Sequence, residues 1–192
     1  MKRLVAVATL LNLFSCHSKN TSEEGTKTIN NDSTVFYPVQ QFFINDKKDV
    51  DSTPYFLYRI VEKNKRRDST PISRQIFDSL ANMFTAIDIS DTSVKKYYEE
   101  NVFNDLTTNS ITLSYRSMNK ELPVQSVDVL LNNESQRVKR IFVSRLSNKG
   151  DTTVMDKMGW KANESFYINR IIQLPGGKEQ SEKNTVIWNK KD

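Results

Sequence analysis

Few residues of this 192-residue chain have side chains suited to covalent or acid–base chemistry, and their placement narrows what that chemistry can be. The chain has one cysteine, Cys16, and one histidine, His17, adjacent in the stretch TLLNLFSCHSKN. A thiol and an imidazole form a catalytic pair only where a fold holds them within hydrogen-bond reach. These two stand where a short apolar run gives way to a long polar one, with nothing around them to bury. The rest of the sequence contains no thiol or imidazole, so it can build neither a Ser-His-Asp nor a Cys-His arrangement, nor a zinc site of nitrogen and sulfur ligands. A lone cysteine also leaves no intrachain disulfide. The expectation is no catalytic residue, no metal ligand and no cofactor.

Carboxylates are the remaining candidates. Asp46, Asp49 and Asp51 cluster near a helix end, but they lack the glycine and terminal glutamate of a calcium-binding loop. Glu99, Glu100 and Asp105 are the acids considered for flanking a glycosidic bond, which requires a separation of about 5–9.5 Å. On a strand, residues 99 and 105 share a face about 20 Å apart. A carboxylate-based hydrolase therefore stands only as an alternative. The recurring steps Asp51-Ser52-Thr53, Asp68-Ser69-Thr70 and Asp151-Thr152-Thr153 read as turn chemistry at joins between elements. Aromatic residues argue better for binding, because Tyr and Trp combine apolar surface with a hydrogen-bonding tip. Tyr58, Tyr115, Trp160 and Tyr167 are the candidate binding residues.

The elements that would position them follow from hydrophobic periodicity. Val39, Phe42, Phe43 and Val50 predict a helix that Asp51–Pro54 stops. Tyr55–Glu62 reads as a strand, followed by a basic hairpin turn over residues 63–67. Ser73 can cap a second helix whose stripe is Ile76, Phe77, Leu80, Met83, Phe84 and Ile87. A short helical turn around Val94–Tyr97 precedes alternating segments at 98–106, 110–117, 124–132, 138–146, 152–162, 166–174 and 184–189. Their connections are short, and short connections join antiparallel neighbours. The fold class expected is α+β, with N-terminal helices packed on an antiparallel meander sheet of five to seven strands.

The start of the chain has a separate logic. Lys2 and Arg3 precede the apolar run Leu4–Phe14, which is too short to span a bilayer but suits an export signal. Leu13-Phe14-Ser15-Cys16 resembles the bacterial lipobox, which implies cleavage before Cys16 and lipid attachment to its sulfur and new amine. Residues 1–15 are thus expected to be a lipoprotein signal peptide, 16–35 a flexible tether, and 36–190 a single globular domain. Ser22-Glu23-Glu24 resembles the acidic surface-export signal of Bacteroidota lipoproteins, set further from the cysteine, and the membrane face stays open. The whole chain carries 28 basic and 23 acidic residues, and without residues 1–15 the balance is 26 to 23. That modest excess, scattered among acids, argues against nucleic acid as a partner.

The runs DSTPYFLYRI, RRDSTPIS and GDTTVMDKMGWKANESFYI, with the helix before DISD, resemble a family of small lipoproteins of Bacteroidota to which no activity is assigned. The resemblance covers residues 36–190 and implies an outer-membrane anchor. In layout alone the chain also resembles the periplasmic lipoprotein carriers, whose curved sheet holds acyl chains. The expected function is non-catalytic binding of an envelope protein partner, or of an apolar or glycan ligand, by a domain anchored to a membrane through lipid. A lipid or lipoprotein carrier is the alternative.

Overall fold

The computed structural model describes residues 27–29 and 35–189. The expected signal peptide, Cys16, His17 and most of the tether lie outside the described residues. In chain order the elements are β1 (Lys27–Ile29), α1 (Val39–Ser52), β2 (Tyr58–Lys63), β3 (Arg66–Pro71), α2 (Arg74–Thr85), α3 (Thr92–Lys95), β4 (Tyr98–Asp105), β5 (Ser110–Ser117), β6 (Val124–Asn132), β7 (Val138–Lys149), β8 (Thr152–Lys161), β9 (Ser165–Gln173) and β10 (Glu179–Ile187). The α+β class holds, with the helices N-terminal to most of a large antiparallel sheet.

The sheet is larger than the expected five to seven strands. It has ten, in the order β1-β4-β5-β6-β7-β8-β9-β10-β2-β3, so a sequential run from β4 to β10 is extended at both edges. Backbone pairing adds Lys27–Ile29 to β4, within the stretch expected to be tether. At the far edge β2 pairs with β10, and β3 pairs with β2. The expected basic turn over 63–67 is only two residues long. Asn64 and Lys65 take positive φ of 50° and 63°, the conformation of a tight hairpin turn. Arg66 and Arg67 then enter β3, as do Asp68, Ser69 and Thr70, which the sequence had suggested were a join. All six β3 residues are exposed, so its apolar signal is absent and its ladder to β2 defines it.

The chain leaves the sheet at one edge after β3 and re-enters near the other at β4, so α2 must cross a sheet face. Residues directly paired across strands share a face. The registers Ile141–Trp160, Trp160–Phe166 and Phe166–Val186 thus define one face, and α1 and α2 pack on it. Phe43 of α1 and Phe84 of α2 both meet the Trp160 ring, at centroid distances of 5.4 and 5.0 Å. Phe77 and Phe84 of α2 meet Phe166 at 5.8 and 5.2 Å. Truncating any of these rings costs about 3–5 kcal/mol.

Two polar devices fix the helices. The buried face of α1 runs Val39, Phe43, Asp46, Val50, so an aspartate occupies a core position. Its carboxylate accepts from the Trp160 indole Nε1 at 2.5 Å and from the Asn163 backbone N–H at 3.1 Å. Arg74, at the start of α2, donates to the carbonyls of Val50 and Thr53 at the end of α1. A guanidinium there satisfies carbonyls that a helix terminus leaves without partners. Among the described residues no helix is long and apolar enough to cross a membrane.

Candidate functional site: a groove at the end of the helix layer

Beyond the aromatic core, the helix-covered face changes character within one residue pair along each strand. On β8, Met158 gives way to Asp156; on β9, Ile168 gives way to Arg170; on β10, Val186 gives way to Asn184 and then Glu182. Cross-strand register places Asp156 opposite Arg170, and Arg170 opposite Glu182. β2 brings Arg59 and Lys63 onto the same face, opposite Val186 and Glu182. Leu80 and Met83, both on the stripe of α2, overhang this floor. Between them and the strands lies a cavity of 280 Å³ with Ile168 and Ile172 on its apolar side. That is near the small end of the range for ligand pockets, about 300–1,000 Å³.

Each charge in the cavity wall has a partner. Arg170 holds Asp156 by two parallel bonds, Nε to Oδ1 at 2.7 Å and a terminal nitrogen to Oδ2 at 2.9 Å. Lys63 donates to Glu182 at 3.0 Å, and Asn184 donates to the same carboxylate at 3.0 Å. Arg59 in turn donates to the Asn184 side-chain oxygen. The bonds from Asn184 and Lys63 hold the Glu182 carboxyl below its usual range, and the bond to Asp156 raises Arg170 further. Groups kept ionised this far from neutrality are poor proton donors and acceptors near pH 7. They suit holding a polar group or supporting an apolar one.

The mouth of the cavity is basic. Lys63 belongs both to the cavity and to an open shelf lined by Asn64, Arg66, Arg67 and Asp68 at the β2–β3 tip. The run KNKRR, expected as a basic hairpin turn, is therefore the lip of the groove. The signal for this was present, since Leu80 and Met83 are on the predicted apolar stripe. What the sequence does not reveal is that β9, β10 and β2 lie side by side beneath them.

The four aromatic candidates divide between the two faces. Trp160 and Tyr115 are wholly buried in the core. Tyr115 touches Phe36 at 4.7 Å and accepts from the Tyr37 backbone N–H at 3.0 Å, so it anchors the chain entering α1. Burial raises its phenol above the usual range. Tyr167 and Tyr58 lie on the opposite face, where Tyr58 is exposed and its ring packs at a tilt against exposed Phe56, 4.6 Å between centroids. None of the four lines the 280 Å³ cavity.

The carboxylates are similarly dispersed. Asp46 serves the core, Asp51 pairs with Lys47 at 2.8 Å, and Asp49 stands 3.4 Å from the Tyr55 hydroxyl. Glu99 and Glu100 take opposite faces of β4, Glu100 buried beside Tyr115. Asp105 caps its own turn by accepting from Thr107 and Thr108, which pushes its pKa down to about 2. Among the described residues no group of three or more acids, histidines or cysteines is gathered as a metal site. No protein-family model matches the chain, and no curated protein is similar to it in sequence.

Proposed function

We propose that this chain is a non-catalytic binding protein of the cell envelope, tethered by lipid on Cys16. Its ligand is an amphiphile with an apolar body and an anionic end. The apolar body sits against Leu80, Met83, Ile168 and Ile172, and the anionic end meets Lys63, Arg66 and Arg67 at the lip. One observation carries the reading: a cavity half apolar and half ion-paired, opening directly onto a basic hairpin. Its size suits one short chain or a few side chains rather than a folded partner. Pairing of the charges favours holding over turnover, because the bonds from Asn184 and Lys63 keep the Glu182 carboxyl below its usual range.

The test is competition of dodecyl phosphate and dodecanol against an environment-sensitive fluorescent fatty acid. Dodecyl phosphate is expected to displace the probe, dodecanol more weakly. Leu80→Gln with Met83→Gln should cut affinity at least tenfold, and Lys63→Glu should abolish the preference for the phosphate. Absence of saturable binding, or equal affinity in the Leu80/Met83 variant, contradicts the proposal. The anchor is tested separately: Cys16→Ser should release the chain from membranes, and firm attachment of that variant counts against lipidation.

A further inference from the structure

The sheet face away from α1 and α2 carries a second feature, independent of the groove. On this face the registers of β7 to β10 form three adjacent rows. The middle row is Phe142, Gly159, Tyr167, Thr185. On one side of it run Arg140, Lys161, Ser165 and Ile187, and on the other Ser144, Lys157, Asn169 and Lys183. These twelve positions hold four cations and two aromatic rings, and of the cations Lys183 pairs at 3.9 Å with Glu62 of β2, which shares this face.

Gly159 explains how the Tyr167 ring sits. A Cβ at residue 159 would stand 2.4 Å from Tyr167 Cε1 and 2.8 Å from Cζ, so the ring tip lies directly on the glycine backbone. The Lys183 ammonium is 5.5 Å from that ring and the Arg140 guanidinium 5.7 Å from Phe142. Arg140 and Lys161 are direct cross-strand partners, and like charges so placed repel. Glu164 neutralises Lys161 at 2.5 Å, which leaves Arg140 with no acidic partner among the described residues. Beside the Tyr167 ring these two cations and Ser165 surround a notch of 90 Å³. That is about three waters' worth of space, enough for a carboxylate or phosphate and too little for an acyl chain.

We infer that this face binds an anionic carbohydrate. Its acidic group enters the notch between Arg140 and Lys161, and a sugar ring lies along Tyr167. Ser165, Asn169 and Thr185 border the ring with hydroxyl and amide groups suited to sugar hydroxyls. Single-stranded nucleic acid would require successive stacking rings along a charged track. Here one ring lies on the glycine notch, and the other is two strands away.

The experiment is calorimetric titration of the full chain with a uronic-acid-containing disaccharide. Its neutral counterpart, inorganic phosphate, oligo-dT and anionic phospholipid vesicles serve as comparison titrants. The acidic disaccharide should bind, and the neutral one at least tenfold more weakly. Arg140→Gln with Lys161→Gln should remove at least tenfold of the affinity. Tyr167→Phe should retain most of it, and Gly159→Ala, which displaces the ring, should lose it while circular dichroism confirms folding. Lys63→Glu should leave it unchanged. The inference is overturned if phosphate binds as well as the disaccharide, if oligo-dT or vesicles bind more tightly, or if Gly159→Ala folds and binds normally.

Discussion

The two ends of the helix-covered sheet face share strands, register and helices, yet they are built from opposite chemistry. At one end Trp160, Phe166 and Trp188 interlock with Phe43, Phe77 and Phe84, and the Asp46 carboxylate bonds to the Trp160 indole within that cluster. At the other, a step further along the same strands, Arg170, Glu182 and Lys63 line an open cavity beneath Leu80 and Met83, and Arg170 is paired with Asp156. The first arrangement gives density and therefore stability. The second gives up packing to keep a space that is polar on one side. Most of the fold's stability should thus reside at the closed end, and ligand contact at the open one.

Substitutions should sort by end. Trp160→Ala is expected to be the most damaging, costing about 3–5 kcal/mol in urea unfolding, because it opens the core and strands Asp46. Met83→Ala, at the groove, should cost less than about 1.5 kcal/mol. Equal losses at the two positions would break the comparison.

Asp46 sharpens it. Asp46→Leu leaves the Trp160 indole and the Asn163 N–H without an acceptor, at about 1–3 kcal/mol for each. Asp46→Asn keeps an acceptor and should recover much of that loss. Burial raises the Asp46 carboxyl above its usual pKa despite the bonds it accepts. A carboxyl raised on folding contributes stability below its unfolded pKa and loses that contribution as pH rises through the folded value. Relative to Asp46→Asn, the native chain should therefore lose ground between acidic and neutral pH. A flat difference would show that the carboxylate is not penalised by its surroundings.

At the open end, Arg170→Ala leaves the nearly buried Asp156 without its bidentate partner. The expected loss is about 1–2 kcal/mol, since the arginine itself is half exposed. A double-mutant cycle with Asp156→Ala should show coupling, and additive losses would mean that the pair contributes nothing. Smallest of all should be Trp188→Phe. The Trp188 indole N–H is buried with no partner among the described residues, so its removal should change stability by less than about 1 kcal/mol.

Much of the closed end could be read from sequence, because its signals are local. The stripe of α2 needs only a 3.6-residue period, and β5 to β9 need only alternation between short turns. The open end depends on which strands become neighbours. Asp156 and Arg170 meet because β8 and β9 are in one particular register, and the same register puts Trp160 opposite Phe166 rather than Tyr167. One residue of slip would exchange those faces, so the two aromatics could not be assigned to a single surface from composition. β3 has no signature in the sequence, because a wholly exposed edge strand carries no apolar pattern. Asp46 was legible in principle, since it falls three residues after Phe43 and four before Val50 on the buried stripe, but an acid there reads first as solvated.

A methyl-resolved NMR titration with dodecyl phosphate asks whether ligand enters the open end and leaves the closed end undisturbed. Entry at the open end should give saturable shifts at the methyls of Leu80, Met83, Ile168 and Ile172 and at the Lys63 amide, with the Trp160 indole resonance unmoved. Shifts centred on Trp160, or none at all at concentrations below micelle formation, would contradict it.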